Sequence, residues 1–303
     1  MIHKFFLFFF LAKFSLFSKS DTTLIKRHFN KIIDTQHPRN YLHPNTLDTV
    51  ATYLENEFNK YADTVYFQPY MVNGKKYKNV IAVFQQEFEE TIIIGAHYDV
   101  CENQTGADDN ASGTVGLLEI ARQLKDQKLK KRVELVAFTL EEPPFFRSEY
   151  MGSFIHAKSM KENNRNVIGM ICLEMIGYFD DSKNSQEYPI EALKLKYGNR
   201  GDFITLVNRI NQGEFSSEFT KNYVELSKIK TKKFSGPKSL QGIDFSDHLN
   251  YWKFGYSALM ITDTAFFRNK NYHQKTDTLD TLDLPRMALV IDGVIETLLH
   301  LYR

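Results

Sequence analysis

The stretch that most limits what this chain can fold into runs from Thr91 to Gly113, TIIIGAHYDVCENQTGADDNASG. Its first residues, Ile92 to Ile94 followed by Gly95 and Ala96, are apolar and β-branched without polar alternation. That is the pattern of a strand covered on both faces, as in a parallel sheet. His97, Asp99, Asp108 and Asp109 then arrive within thirteen residues, and Asn110-Ala111-Ser112-Gly113 turns the chain into a helical pattern over 114–124. In open α/β sheets, sites are built at the carboxyl ends of the strands. A ligating imidazole commonly gives its other N–H to a carboxylate, which makes His97 a candidate ligand and Asp99 its orienter.

The rest of the chain supplies the partners that such a strand needs. Apolar residues at helical spacing predict helices over 21–35 and 45–60, the second with Asn45 as N-cap. Two Val-, Tyr- and Phe-rich runs, 64–70 and 76–84, flank Asn73-Gly74 and read as an antiparallel hairpin. Beyond the 92–96 strand, further strands are expected over 133–139, 167–173, 203–207 and 256–261. Helices are expected over 114–124, 150–160, 216–227 and 284–302, and the polar connection 180–201 is expected to wrap the surface. Strands alternating with helices predict an α/β three-layer sandwich: a mostly parallel central sheet with an antiparallel edge hairpin and helices on both faces.

At 303 residues with 43% hydrophobic and 25% charged side chains, the chain is expected to form one domain over 21–303. A net charge of +1 with scattered Lys and Arg argues against nucleic acid or an anionic membrane as main partner. Cys101 and Cys172 form no metal motif and no disulfide framework, and read as two small buried thiols, with pairing in an oxidising compartment as the alternative. Residues 1–20 differ from everything after them: Lys4, an apolar run from Phe5 to Ala12, and Ser18-Lys19-Ser20 before Asp21. They read as a signal peptide for a secreted or periplasmic protein, too short for a stable membrane span, with a packed or membrane-surface helix as the alternative.

The ionisable residues gather at strand exits. His97 leaves one predicted strand, Glu141 and Glu142 the next and Glu174 a third, while Asp109 precedes the helix after the first. Several carboxylates buried together require positive charge among them, and mixed His and carboxylate sets suit zinc, cobalt or manganese, with an Asp able to bridge two ions. His273, in the loop after the fifth buried strand, is the best second imidazole. Successive side chains of an extended segment point to opposite sides, so Glu141 and Glu142 cannot do the same work.

At these residues the chain resembles the M28 family of zinc aminopeptidases, most closely the bacterial members with a Glu-Glu-Pro-Pro motif. The resemblance runs from about Leu24 onward through HYD at 97–99, GADDNASG at 106–113, EEPPFF at 141–146, LEMIGYF at 173–179, SDH at 246–248 and YHQKTDTLDTL at 272–282. It implies two zinc ions, one on His97, Asp109 and Glu174, the other on Asp109, Glu142 and His273, with Asp109 rather than Asp108 bridging. It further implies Glu141 as general base and Tyr272 as an aid to the oxyanion. Many members have Asp where this chain has Glu174, and none of the long insertions that add a protease-associated domain is present.

Three functions follow from this resemblance: an aminopeptidase acting on peptides with a free N-terminus, a glutaminyl-peptide cyclotransferase on one zinc, or a non-catalytic relative. The six positions all keep capable residues, which favours the first. Partly neutralised carboxylates welcome a protonated α-amine, and Phe145, Phe146, Ile176 and Phe179 are expected to favour an apolar first side chain. Ser246-Asp247-His248 cannot form a serine triad from consecutive residues; His248 reads as structural and His156 as an exposed mid-helix residue.

Overall fold

The computed structural model describes residues 20–211 and 213–303; the leader reading over 1–20 lies, apart from Ser20, outside the described residues. The eight strands are β1 (Thr64–Val72), β2 (Lys75–Phe84), β3 (Thr91–His97), β4 (Arg132–Phe138), β5 (Val167–Glu174), β6 (Ile204–Arg209), β7 (Thr231–Gly236) and β8 (Ala258–Thr262). They form one sheet in the order β1-β2-β4-β3-β5-β8-β6-β7. β4, β3, β5 and β8 are mutually parallel at its centre. The β1–β2 hairpin adds antiparallel to β4, and β6 runs antiparallel to β8 with β7 parallel beyond it. The hairpin turns at Asn73 and Gly74, whose φ angles of 49° and 76° suit the twist of the flanking strands.

Strand β3 shows why the sheet needs two covering layers. Ile92, Ile94 and Ala96 enter a core shared with α1 (Thr22–Ile33), α2 (Pro44–Phe58), α3 (Gly113–Leu124), α6 (Glu214–Leu226) and α8 (Leu284–Tyr302), whereas Ile93 faces a second core. That second core is closed by α4 (Gly152–Glu162) and α7 (His248–Lys253), through Ala157, Tyr251 and Trp252. The expected α/β sandwich is therefore the observed one. α3 starts so close to β5 that a Cβ on Gly113 would lie 2.5 Å from the Leu173 carbonyl oxygen, which fixes the residue as glycine and the turn against the sheet.

Four local expectations change. α2 begins at Pro44 with His43, not Asn45, at the cap. The half-polar edge strand β7 and the short helices α5 (Leu193–Tyr197) and α7 carry too little periodicity to be read from sequence. The 180–201 connection is not mere surface wrapping, because Gln186 within it is fully buried and receives the Arg268 guanidinium. His156 is fully buried rather than exposed: its Nδ1 lies 2.7 Å from the Tyr251 hydroxyl and its Nε2 3.4 Å from Glu134. Among the described residues no helix is long and apolar enough to cross a membrane.

Candidate metal centre

The parallel register sets His97 at the end of β3 beside Phe138 at the end of β4, and Glu174 at the end of β5 beside Thr262 of β8. Glu141 and Glu142 follow β4 after Leu140, and Asp109 lies in the turn that leads into α3. Leu140, Met175 and His273 all have positive φ, at 60°, 47° and 56°. Such angles are costly for residues with a Cβ and persist where the surroundings hold them. Here they bend the chain immediately around Glu141, Glu174 and His273.

Asp109 is the centre of the cluster. Its Oδ1 lies 3.4 Å from His97 Nε2 and its Oδ2 3.2 Å from His273 Nε2. His97 Nε2 is also 3.4 Å from Glu174 Oε2 and 3.8 Å from Glu141 Oε2, while His273 Nε2 is 3.3 Å from Glu142 Oε2. The structure thus brings together His97, Asp109, Glu141, Glu142, Glu174 and His273. All but the half-buried His273 are buried.

Burial opposes a charge on His97, but Glu141 and Glu174 outweigh it and hold the imidazole pKa well above its usual value. Burial likewise opposes the Asp109 carboxylate, yet His273 and His97 hold its pKa below the usual range. Burial pushes Glu141 well up and Glu142 to about 7. Glu142 Oε1 is buried without a hydrogen-bond partner. Such atoms cost free energy unless something positive satisfies them, and a divalent cation fits this His and carboxylate donor set.

Asp99, expected to orient His97, lies against that imidazole, and its carboxylate also accepts the backbone N–H groups of Glu141 and Glu142, both at 3.2 Å. His97 Nδ1 lies nearer the Asp99 carbonyl oxygen, 3.2 Å, than the carboxylate, 3.6 Å. Asp108 faces away from the cluster, accepting from Gly177 N–H and the Asn269 amide. The Tyr272 ring stacks on His273 with centroids 3.9 Å apart. Burial and then the neighbouring carboxylates raise its phenol pKa far above normal, so it stays a hydrogen-bond donor.

Two residues that the sequence reading passed over also shape the centre. Asp277 accepts the backbone N–H groups of Asp108 and Asp109 at 2.9 and 3.1 Å. Buried Arg39 donates to the carbonyls of Tyr98, Thr105 and Gly106, stapling the loop after β3. The only signal for Asp277 was its place in the run after His273; nothing local marked Arg39.

Beside Glu174 opens a largely apolar cavity of about 90 Å³, walled by Tyr188, Tyr197, Phe203, Phe234, Met260 and Phe266 among others. None of the side chains expected to shape an apolar subsite is among the residues that wall it. Ile176 is fully buried in the core, Phe145 packs on Tyr41 and Tyr150, Phe146 packs on Phe245, and Phe179 lies under Arg286.

Known proteins share this fold. The solved structure of the LapA aminopeptidase of Legionella pneumophila superposes with a TM-score of 0.72 at 18% identity, over 93% of this chain and 72% of that one. The glutaminyl cyclase of Tannerella forsythia does so with 0.67 at 21%, over 92% and 98%. At such identities the likeness is one of fold. In sequence, the chain is 45% identical over 277 residues to the uncharacterized protein YfbL of Escherichia coli K12, covering 89% of this chain and 84% of YfbL. It is 26% identical over 225 residues to leucine aminopeptidase 1 of Ajellomyces dermatitidis, covering 69% of this chain but only 52% of that protein. The sequence profile of Peptidase family M28 matches residues 79–298, the span that carries every residue of the cluster, and the chain belongs to that family.

Proposed function

We propose that this protein is a zinc aminopeptidase that removes N-terminal residues from peptides. The observation that carries the reading is the two-sided use of Asp109, which turns one carboxylate oxygen to His97 and the other to His273. His97, Asp109 and Glu174 would hold one ion, and Asp109, Glu142 and His273 the other. When bound, the ions polarise the scissile carbonyl and make water acidic enough to attack near neutral pH.

The chain's own groups do the rest. Glu141 Oε2 lies 3.8 Å from His97 Nε2, is buried, and makes no hydrogen bond to a protein donor through its side chain among those described. It takes a proton from the attacking water and delivers it to the leaving amine. Asp99 fixes the backbone of the glutamate pair, which separates the base from the neighbouring ligand. The Tyr272 hydroxyl is the donor available to a developing oxyanion. The excess of carboxylates favours a substrate with a protonated α-amine, and the cavity beside Glu174 accepts an apolar first side chain.

Both ion positions keep a full donor set, which supports hydrolysis over cyclisation on a single zinc. The leader supports a secreted or periplasmic location. The test is elemental analysis of dialysed protein together with assays on free and N-acetylated aminoacyl amides and on an N-terminal glutaminyl peptide. About two zinc per chain and cleavage of free amides alone are expected. One zinc with pyroglutamyl product overturns the reading, as does equal cleavage of acetylated and free substrates.

A further inference from the structure

The loop after β3 carries a thiol that family resemblance assigned no task. One atom each from Cys101, Glu142 and His273, the cysteine sulfur among them, lies within 4.8 Å of the others. Cys101 is 8% exposed and forms no disulfide. The sulfur's position is set by the scaffold. Val100 N–H donates to the Arg39 carbonyl at 3.1 Å, the Asn40 amide donates to the Glu102 carbonyl, and Arg39 grips Tyr98, Thr105 and Gly106. Both flanks of Cys101 are thereby clamped to residues 39–40.

A cysteine near a histidine is not in itself a site, but here an independent orphan points the same way. Glu142 Oε1, on a side chain only 4% exposed, has no hydrogen-bond partner. Cys172 gives the contrast: its sulfur lies 3.1 Å from Ser246 Oγ and belongs to none of the potential ion-holding groups among the described residues.

We propose that Cys101 Sγ is a ligand of the ion held by Glu142 and His273, so that this position offers nitrogen, oxygen and sulfur donors and selects a soft divalent ion, zinc or cadmium. The inference rests on the metal-dependent reading above and adds to it a chemical difference between the two positions. His97, Asp109 and Glu174 present only nitrogen and oxygen, a set open to manganese and cobalt, whereas thiolate favours zinc and its softer congeners. The thiol releases its proton to solvent as the sulfur–metal bond forms, as any cysteine ligand must.

The test is spectroscopic. Protein stripped of metal and reloaded with cobalt(II) alone is followed in the near ultraviolet, where a thiolate ligand adds a charge-transfer band that nitrogen and oxygen donors do not. The band should grow as cobalt fills the chain, vanish in C101S and persist in C172S. C101S should weaken zinc binding at one position by about 10-fold or more, at least the lower end of what loss of an outer-shell partner costs, and leave the other unchanged. Because the wild-type spectrum is itself decisive, a poorly folding variant does not shield the proposal. Two bound cobalt ions without the band, or a band that survives C101S, overturn it while leaving the aminopeptidase reading intact. A chain that binds no divalent metal overturns both.

Discussion

Ser246 donates its hydroxyl hydrogen to Glu174 Oε2 at 2.6 Å. The Asn110 amide reaches the same oxygen at 3.3 Å, and His97 Nε2 stands 3.4 Å from it. A glutamate has one more methylene, and so more freedom, than an aspartate would have here. These two donors restrain it so that one oxygen remains directed at His97. Groups that orient metal ligands are worth about 10–100-fold in affinity. Ser246→Ala should therefore weaken one ion by about that factor and leave the other unaffected, as read by competition with a metal-sensitive dye. Unchanged binding would mean that Glu174 needs no such restraint.

The two adjacent glutamates have separate tasks, and their isosteres tell them apart. Glu142 Oε2 faces His273 while Glu141 Oε2 faces His97 at longer range. Glu141→Gln keeps size and polarity but takes no proton, so turnover should fall by roughly 10²–10⁴-fold with both ions retained. Glu142→Gln should lose one ion. Turnover and metal content measured on both variants decide the matter: loss of metal from Glu141→Gln with both kept in Glu142→Gln reverses the roles.

The architecture was legible because buried parallel strands advertise themselves. Ile92 to Ile94 admit no other easy reading, and once the strands are placed, their exits carry His97, Glu141, Glu142 and Glu174. What stayed hidden depends on contacts between distant segments. His156 is buried because Tyr251, 95 residues away on a helix of only 6 residues, supplies its partner. Asp99 serves the glutamate backbone because Glu141 and Glu142 fold back over it, which no periodicity encodes. The apolar cavity is walled partly by Tyr188 and Tyr197, which lie in the most polar connection of the chain, so composition did not mark them as cavity residues. Cys101 lay four residues past His97 in plain view, but only the approach of His273 gives its sulfur a context.

The cavity beside Glu174 predicts a preference among N-terminal residues. Each buried methylene contributes about 0.8 kcal/mol, so the three further carbons of leucine over alanine should yield about 2.4 kcal/mol, a factor of roughly 50 in kcat/KM. Comparing leucyl, phenylalanyl and alanyl amides measures it directly. Val207→Trp, which projects bulk into the wall of that cavity, should reduce the leucine preference while sparing alanyl amide. Equal rates for the three amides with the wild-type enzyme would place the first side chain somewhere other than this cavity.

The last prediction concerns acid stability and His248, which sits on the sheet face away from the main core. His248 is fully buried, packs edge-on against Trp252 with centroids 4.5 Å apart, and donates through Nε2 to the Ile243 carbonyl at 2.8 Å. Its Nδ1 has no partner, so a second proton there would be buried without an acceptor. Burial accordingly pushes its pKa down to about 4 from 6.5. Between these values the unfolded chain binds the proton and the folded chain does not, so stability rises with pH across that window. The contribution is complete above pH 6.5 and is lost as the pH falls toward 4, roughly 3 kcal/mol in all. His28, lowered to about 4 chiefly by burial, pulls in the same direction. Glutamine at 248 cannot take up the proton, so denaturant unfolding of wild type and His248→Gln should differ most near neutral pH and converge as the pH drops toward 4. A difference that stays constant with pH would mean that His248 does not remain neutral in the folded protein.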